Sequence, residues 1–319
     1  MNVLISGSHG LIGGALTRRL SDEGHTVVPL VRPPDREPGK GHLAGSPSEP
    51  FAARPSVPWD PATGALDLAA LDRHAPYDAV VHLAGAGIGD RRWSRARRDT
   101  ILASRVEPTR LLARTLAGMD PRPPVLVSAS AVGFYGDGGE RDLTEDDTVG
   151  QGFLADVCRQ WEAATAAADD TMRVVHLRSG VVLSTRGGAL ARQLPLFRLG
   201  LGGRLGSGKQ YLSWITLDDE LAVIDRVITD DRLAGAVNAV APEPVTNAAF
   251  TTALAAALHR PAMLPVPAVA LGAALGRDLA AELLLAGQRV RPRRLEDAGH
   301  EFAHAHITDA LDAVLTAGT

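Results

Sequence analysis

The chain has 319 residues, a formal net charge of −4 and one cysteine, Cys158. It is long enough to bury a substantial core, and its slight acidic excess gives no general attraction to nucleic acid or anionic lipid. One cysteine excludes an internal disulfide, and the first residues resemble a strand rather than a signal segment. We therefore expect a protein of the reducing cytoplasm.

Short β-branched runs alternate with longer helical patterns through the first half of the chain. In chain order the runs are NVLIS, HTVVPLV, DAVVHLAG, PPVLVSAS and MRVVHLRSGVVL. They are almost continuously apolar, as expected of strands that helices cover on both faces. This alternation predicts an α/β fold, with a Rossmann-type doubly wound parallel sheet.

Two stretches interrupt this regular pattern. Residues 33–58 are rich in Pro, Gly and Ser, which predicts an exposed excursion between the second and third strands, either a lid or a loop without function. After about Gly187 the signals become mixed, with a helix over 218–229 and a strand near Val237. We expect an NADP-binding domain over residues 1–186 and a smaller, mainly helical substrate lobe over 187–319, with interleaving allowed.

Three glycines recur in the stretch LISGSHGLIGGAL, where the first strand gives way to a helix. Gly7 lets the chain turn sharply, Gly10 lets the backbone approach a pyrophosphate, and Gly13 lets the helix pack on the strand. The first N–H groups of the helix are then free to face phosphates. The turn predicts dinucleotide binding, with contacts from Gly7, Ser8, Gly10, Leu11 and Ile12. The alternative is tight packing at a strand–helix corner.

The second strand ends in VVPLVRPP and has no acidic residue where a ribose 2′-hydroxyl would be held. Arg32 stands there instead, and a guanidinium suits a 2′-phosphate, so NADP(H) is preferred over NAD(H). The alternative is that Arg32 simply ends a strand in solvent. Asp60, in WDP, is a weaker candidate for a contact to the adenine edge.

Further motifs carry a resemblance to a known family. The glycine turn, HLAG at residues 82–85 and SASAVGFYG at residues 128–136 resemble extended short-chain dehydrogenases/reductases, which include sugar-nucleotide epimerases and dehydratases. Stretches such as RRWSRARRDTILASRVEPTRLL and NAVAPEPVTNAAF are similar to the atypical, NADP-binding epimerase branch, over nearly the whole chain. The resemblance implies a C-terminal lobe closing over the nicotinamide and cofactor contacts from Leu83, Ala84, Gly85 and Ser128.

The chain departs from these relatives at the proton-transfer residues. Relatives of known chemistry use a Tyr followed four residues later by a Lys, which lowers the tyrosine pKa. Alignment on Glu162 places Leu154 and Cys158 at those positions, so the usual relay is missing.

Polar side chains elsewhere in the motif are the remaining catalytic candidates. Ser130 would hydrogen-bond a substrate oxygen, and Tyr135 lies in the loop after the same strand. A capping serine and a packed aromatic are equally good interpretations. Arg105 and Arg178 are candidates for holding an anionic substrate group.

Two further patterns suggest other functions. HEFAH at residues 300–304 matches a zinc signature, but Gly299 precedes it, the residues could alternate along an extended segment, and no third ligand is evident. We therefore predict surface histidines and no metal. The basic run 91–98 belongs to an amphipathic helix with a solvated face, so we predict no nucleic-acid partner.

The sequence thus predicts an NADP(H)-binding atypical dehydrogenase, a reductase or epimerase for a small carbonyl or hydroxyl compound. A non-catalytic NADPH-sensing or scaffold protein is the alternative, because the Tyr and Lys are missing. The apolar stretch 266–287 contains Arg277, Asp278 and Glu282, so we predict no membrane association. The sequence leaves a homodimer open.

Overall fold

A computed structural model describes residues 1–32 and 55–317 of the chain. Its strands are β1 Asn2–Ser6, β2 Thr26–Val31, β3 Val57–Asp60, β4 Ala65–Leu66, β5 Ala79–His82, β6 Val125–Ala131, β7 Asp142–Leu143, β8 Arg173–Ser179, β9 Val181–Leu183, β10 Tyr211–Leu212, β11 Trp214–Thr216, β12 Gly235–Ala239, β13 Val245–Thr246 and β14 Arg289–Val290. Its α-helices are α1 Leu11–Asp22, α2 Leu68–Arg73, α3 Arg95–Ala117, α4 Phe153–Ala163, α5 Ala166–Asp169, α6 Gly188–Arg198, α7 Leu217–Thr229, α8 Asn247–Ala257, α9 Ala268–Leu275, α10 Arg277–Leu279, α11 Arg293–Asp297 and α12 Ile307–Thr316. A 3-10 helix over Val132–Tyr135 follows β6, and a π-helix over Ala280–Leu285 follows α10.

One sheet organises the molecule. Within the described residues, eight strands form it in the order β12-β8-β6-β5-β1-β2-β3-β4. Neighbouring strands are parallel except for the terminal β3–β4 pair, which is antiparallel. The chain builds outwards from β1 to β2 and β3, and then in the opposite direction from β5. Sheets of this kind bind ligands outside the carboxyl ends of the strands at that reversal, which here lies at β1 and β5.

Helices cover both faces of the sheet, and each face has its own apolar core. On one face, α1 and α7 bury side chains such as Leu16 and Ile224 against the sheet. On the other, α3 and α5 bury side chains such as Leu112 and Ala168. Burial of a leucine such as Leu16 or Leu112 stabilises the fold by about 2 kcal/mol. The predicted Rossmann-type α/β fold is confirmed.

The predicted strand runs coincide with β1, β2, β5, β6 and β8–β9, and the later predictions coincide with α7 and β12. The predicted excursion over residues 33–58 was wrong at its end, because Val57 and Pro58 belong to β3 and pair with β2. Alternating burial of Val57 and Trp59 explains this: the two apolar side chains enter the core while Pro58 stays exposed. The part of the prediction over residues 33–54 lies outside the described residues.

Strands from the later part of the chain pair with strands from the earlier part. β12 extends the sheet by pairing with β8, β11 pairs with β9, and β14 pairs with β7. A separate apolar cluster joins α6, α8 and α12 through residues such as Leu194, Leu254 and Leu311. Segments on both sides of residue 187 therefore share hydrogen bonds. The division at residues 186 and 187 stays a prediction.

The late apolar stretch folds into short helices. It contains α9, α10 and the π-helix, in which Leu271, Leu279 and Ala280 are buried. In the described part of the chain, no helix combines the length and apolarity needed to cross a membrane.

Candidate functional site

The turn between β1 and α1 leaves no room for side chains. Gly7 has φ +71°, and a Cβ there would lie 2.8 Å from the carbonyl carbon of Leu83. A Cβ at Gly13 would lie 2.3 Å from the Gly7 oxygen. Gly10 caps α1 without a side-chain bond, so the first N–H groups of the helix stay available to a ligand. This cradle fits the diphosphate of a dinucleotide.

Several other residues predicted to hold the cofactor lie in this turn or directly beside it. Ser8 is within the turn, and Leu11 and Ile12 open α1. Leu83, Ala84 and Gly85 follow β5, and Leu83 and Ala84 contact Gly7. These residues therefore lie at the carboxyl ends of the neighbouring strands β1 and β5.

Three more predicted cofactor residues lie further from the turn. Arg32 is exposed directly after β2. Asp60 ends β3, and its carboxylate accepts a hydrogen bond from the Ala62 N–H at 3.1 Å. Ser128 is buried within β6, and its hydroxyl has no hydrogen-bond partner among the described residues. The roles of these residues in binding stay predictions.

Ser130 and Tyr135 are part of a buried polar network. Ser130 donates to Glu162 at 2.6 Å, and Arg178 makes two hydrogen bonds to the same carboxylate, at 2.8 and 2.9 Å. The Tyr135 hydroxyl donates to Asn238 at 2.7 Å and accepts from Arg178 at 2.9 Å. Burial raises the pKa of Tyr135 to about 12. The network therefore holds both hydroxyls in fixed bonds, and Glu162 neutralises Arg178.

A mainly apolar pocket of about 190 Å³ lies where β6 and β8 end. Its walls come from both parts of the chain and include residues 131–133, 179–181, 210–213 and 282–284. Leu154 and Cys158 line it, whereas Ser130 and Tyr135 do not. Burial, followed by the charge of Glu162, raises the pKa of the Cys158 thiol to about 12, so the thiol is protonated at neutral pH and is a poor nucleophile.

Charged side chains reach the pocket from two directions. Arg105 enters from α3, and burial lowers the pKa of its guanidinium, which nevertheless stays charged. Glu282 enters from the π-helix and accepts a hydrogen bond from the Leu154 N–H at 2.8 Å. A carboxylate at the first turn of a helix is favoured by the helix dipole. Glu282 thus joins the C-terminal segment to α4.

A buried carboxyl group with a raised pKa lies beside the same pocket. Ser179 lines the pocket and donates to Glu220 at 2.6 Å. Glu220 is fully buried in α7, its second oxygen has no partner among the described residues, and burial raises its pKa to about 7. This pair can hold a proton near neutral pH, which is the property required of a general acid or base.

A second buried network connects the turn to the pocket wall. His82 contacts Ser6 at 2.6 Å through Nδ1 and Thr109 at 2.9 Å through Nε2. Trp161 donates to the same Thr109 hydroxyl at 3.0 Å, and Thr109 donates to the Arg105 carbonyl at 2.7 Å. Burial lowers the pKa of His82 to about 4, so the imidazole is neutral. Thr109 accepts twice and donates once if Nε2 carries the imidazole proton.

The segment 300–304 has no helix, so His300 and His304 are not presented on one helical face. His304 contacts Asp219 at 3.3 Å, and the His300 ring packs edge-to-face against Phe302. Among residues 1–32 and 55–317, no group of three or more potential ligands is arranged for a metal.

The basic run makes contacts within the chain. Arg92 donates to the carbonyls of Ala273 and Ala274, and Arg98 pairs with Asp278.

Sequence reasoning missed the roles of Glu220, Trp161 and Glu282. The sequence did contain a signal for the burial of Glu220, because Glu220 shares helical spacing with the apolar Ile224 and Val227 in α7. Trp161 and Glu282 had no such signal, because their partners are 52 and 128 residues away in sequence.

Comparison with known proteins agrees with this geometry. The model of the NAD dependent epimerase/dehydratase family matches residues 3–240. This chain belongs to that family. A second model, a domain of unknown function termed DUF1731, matches residues 266–314. Together the two matches cover both the sheet and the C-terminal segment that lines the pocket.

Several family relatives match along their whole length. An epimerase family protein of Mycobacterium tuberculosis is 45% identical over 315 residues, which covers 98% of this chain and 97% of the relative. The human epimerase family protein SDR39U1 is 35% identical over 318 residues and covers 99% of this chain and 100% of the relative.

Solved structures with the same architecture are known. A crystal structure of human SDR39U1 (isoform 2) with NADPH matches at a TM-score of 0.84 and 34% identity, covering 99% of both chains. The enzyme WbmG of Bordetella bronchiseptica, in complex with NAD and UDP, matches at a TM-score of 0.74 and 18% identity, covering 98% of this chain and 93% of that one. The second likeness shows the fold alone.

Proposed function

We propose that this chain binds NADP(H) and acts as a reductase or epimerase on a small carbonyl or hydroxyl compound. The observation that carries the proposal is the glycine cradle at the end of β1, which adjoins Leu83 and Ala84, while the next residue, Gly85, lies beside the pocket-lining Arg105. Arg32 favours the 2′-phosphate of NADP(H), and the human relative crystallised with NADPH supports the same choice. NAD(H) is the less favoured cofactor.

The cofactor would supply hydride transfer at its nicotinamide, and the protein would supply position, polarity and exclusion of water. The cradle residues would bind the diphosphate, and the apolar pocket would hold the reacting compound away from bulk water. Leu154 and Cys158 shape the pocket but exchange no proton at neutral pH, the first for lack of a titratable group and the second because of its raised pKa.

Ser130 and Tyr135 remain the predicted proton-exchanging residues. Their hydroxyls are bonded to Glu162, Asn238 and Arg178, so this role requires them to change partners when substrate binds.

A non-catalytic NADPH-sensing or scaffold protein is the second proposal. The observation in its favour is that the positions aligned with Tyr and Lys carry Leu154 and Cys158. A cytoplasmic location and a homodimer also remain proposals. The cytoplasmic location rests on the single cysteine, which is buried. The homodimer is carried over from the sequence, and no contact among the described residues adds support for it.

The test is a titration of the purified protein with NADPH, followed by nicotinamide fluorescence, and then NADPH oxidation with a panel of aldehydes and ketones. Binding and turnover, with turnover lost in Ser130→Ala or Tyr135→Phe, would support the catalytic assignment. Turnover unchanged in both variants would contradict those two roles. Binding without turnover across the panel would favour the sensing protein, and absence of binding would contradict the whole proposal.

A further inference from the structure

Arg105 is a largely buried arginine that has no carboxylate partner among the described residues. Arg178 has a side-chain exposure of 6% and is paired with Glu162. Arg105 forms no ion pair in the described part of the chain, and its Nη1 donates only to the carbonyls of Ala86 and Ile101, at 3.0 and 3.1 Å, with a long 3.5 Å contact to Ser104. A charge largely withdrawn from water without a counter-charge is costly, so the position of this guanidinium calls for an explanation.

The remaining donors of Arg105 are available to a ligand. Neither Nε nor Nη2 makes a hydrogen bond to any described residue, and the side chain lines the pocket. A guanidinium presents its donors as a planar fork that matches phosphate and adjacent hydroxyl oxygens. The available half of the fork therefore suits an anion rather than an apolar group.

The position of Arg105 selects which anion would meet it. A Cβ built at Gly85 would lie 3.4 Å from the Arg105 Cζ, and Gly85 directly follows the two residues that contact Gly7. Arg32 follows β2, whereas Gly85 follows β5, and these strands lie on opposite sides of β1. A dinucleotide seated on the turn with its adenosine end towards Arg32 must extend its other half past Arg105.

The guanidinium is also held in place before any ligand binds. Its Cζ lies 5.0 Å from the centre of the Trp161 ring. The Trp161 indole and the Arg105 carbonyl both bond to Thr109, which His82 and Ser6 connect to the end of β1. A group fixed in this way loses little conformational entropy on binding.

We infer that Arg105 is a second phosphate-binding residue, which holds the phosphate and ribose on the nicotinamide side of NADP(H), while Arg32 and the glycine turn hold the adenosine side. This inference rests on the proposed function. It assigns to Arg105 a cofactor contact in place of the substrate contact considered from the sequence.

The experiment compares three ligands on one set of variants by isothermal titration calorimetry. NADPH and 2′-phospho-ADP-ribose contain the second phosphate and ribose, whereas 2′,5′-ADP contains only the adenosine side. In Arg105→Gln we expect at least a tenfold loss of affinity for the first two ligands and less than a twofold change for 2′,5′-ADP. Arg105→Lys, which keeps the charge but not the fork, should recover part of the loss.

Arg110→Gln is the matched control, because it removes one positive charge from an exposed position of the same helix. It should leave all three affinities unchanged. Retained binding of 2′,5′-ADP by Arg105→Gln also shows that this variant is folded.

Each other pattern of affinities overturns the inference. NADPH affinity unchanged in Arg105→Gln would show that Arg105 does not contact the cofactor. An equal loss for all three ligands would indicate damage to the turn, and a loss for NADPH alone would place the contact on the nicotinamide ring. A wild-type protein that binds none of the ligands would instead refute the proposed function, and the inference with it.

Discussion

The two ends of the ligand crevice differ in how their polar groups are used. At the turn end, formed by β1, β2 and β5, the described residues leave backbone N–H groups and the Arg32 side chain available for a ligand, and Arg105 in the pocket wall has donors without a described partner. At the pocket end, formed by β6, β8 and α4, Ser130, Tyr135 and Arg178 are bonded to one another or to Glu162 and Asn238.

In the proposed function, the turn end would bind the cofactor with available groups, whereas proton exchange at the pocket end would require Ser130 and Tyr135 to change hydrogen-bond partners. The glycine cradle depends on backbone geometry, which the spacing of Gly7, Gly10 and Gly13 provides. Leu154 and Cys158, which the predicted alignment on Glu162 places at the Tyr and Lys positions, line the pocket beside the hydrogen-bonded network of Ser130, Tyr135 and Arg178. The following predictions test this contrast, from the largest expected effect to the smallest.

Loss of the Glu162 carboxylate should have the largest effect on the free energy of unfolding. Glu162→Gln leaves the buried Arg178 charge uncompensated, so we expect a loss of about 3–5 kcal/mol in the free energy of unfolding, measured by urea denaturation. Asp156→Asn removes a half-exposed partner of Arg159 on the same helix and should cost less than about 1 kcal/mol. Similar losses in the two variants would contradict a structural role for the network.

The double variant Glu162→Met with Arg178→Met sharpens this test. Because both charges are removed together, it should be less destabilised than the sum of the two single variants. Additive losses would mean that the pair is not coupled.

Because of Glu220, the free energy of unfolding should decrease as the pH rises. Its pKa is raised from 4.5 to about 7 in the folded protein, so between these values the unfolded chain loses its proton while the folded chain keeps it. The resulting penalty is absent below pH 4.5 and reaches about 3 kcal/mol above pH 7. Glu220→Gln, which mimics the protonated carboxyl, should match the wild type at pH 4.5 and be more stable by that amount at pH 8.

Chemical denaturation at a series of pH values would measure this difference. Asp218→Asn changes an exposed acidic residue two positions earlier in α7 and is the control for general charge effects. A constant difference between Glu220→Gln and the wild type across the pH range would show that Glu220 is ionised in the folded protein.

The glycine cradle should tolerate no added methyl group. Gly7→Ala and Gly24→Ala both place alanine at a positive φ, +71° and +81°, but only Gly7 has neighbours within 4 Å. Both should pay about 1–2 kcal/mol of backbone strain, and Gly7→Ala should lose about 1–3 kcal/mol more through overpacking. Gly7→Ala should also bind NADPH at least tenfold more weakly, whereas Gly24→Ala should bind normally.

Thermal unfolding and NADPH titration of the two variants would provide these values. Equal behaviour of the pair would mean that the contact between Gly7 and the Leu83 backbone is unimportant, which would remove the main support for the cradle.

Arg32 should have the smallest effect, and only on one cofactor. Arg32→Ala should weaken NADPH binding about tenfold, because a charge-assisted contact to the 2′-phosphate contributes about 1.5 kcal/mol, and NADH binding should not change. Parallel titrations with NADPH and NADH would show this. An unchanged preference for NADPH would remove the role of Arg32 without affecting the cradle.

The sequence by itself determined the parallel sheet and the glycine turn. Both depend on local information: runs of apolar residues set the strands, and the spacing of Gly7, Gly10 and Gly13 sets the backbone path between β1 and α1. The resemblance carried by HLAG predicted the residues after β5, and the sequence alone shows that no Tyr is followed four residues later by Lys.

Only the tertiary structure decided which polar groups are available to a ligand. Arg105 and Arg178 are both arginines near a strand end, but Glu162 neutralises the second and no described carboxylate neutralises the first. These partnerships join residues far apart in sequence, such as Leu154 with Glu282 and Tyr135 with Asn238. Burial, which sets the pKa of Glu220 and His82, likewise exists only once the helices pack on the sheet.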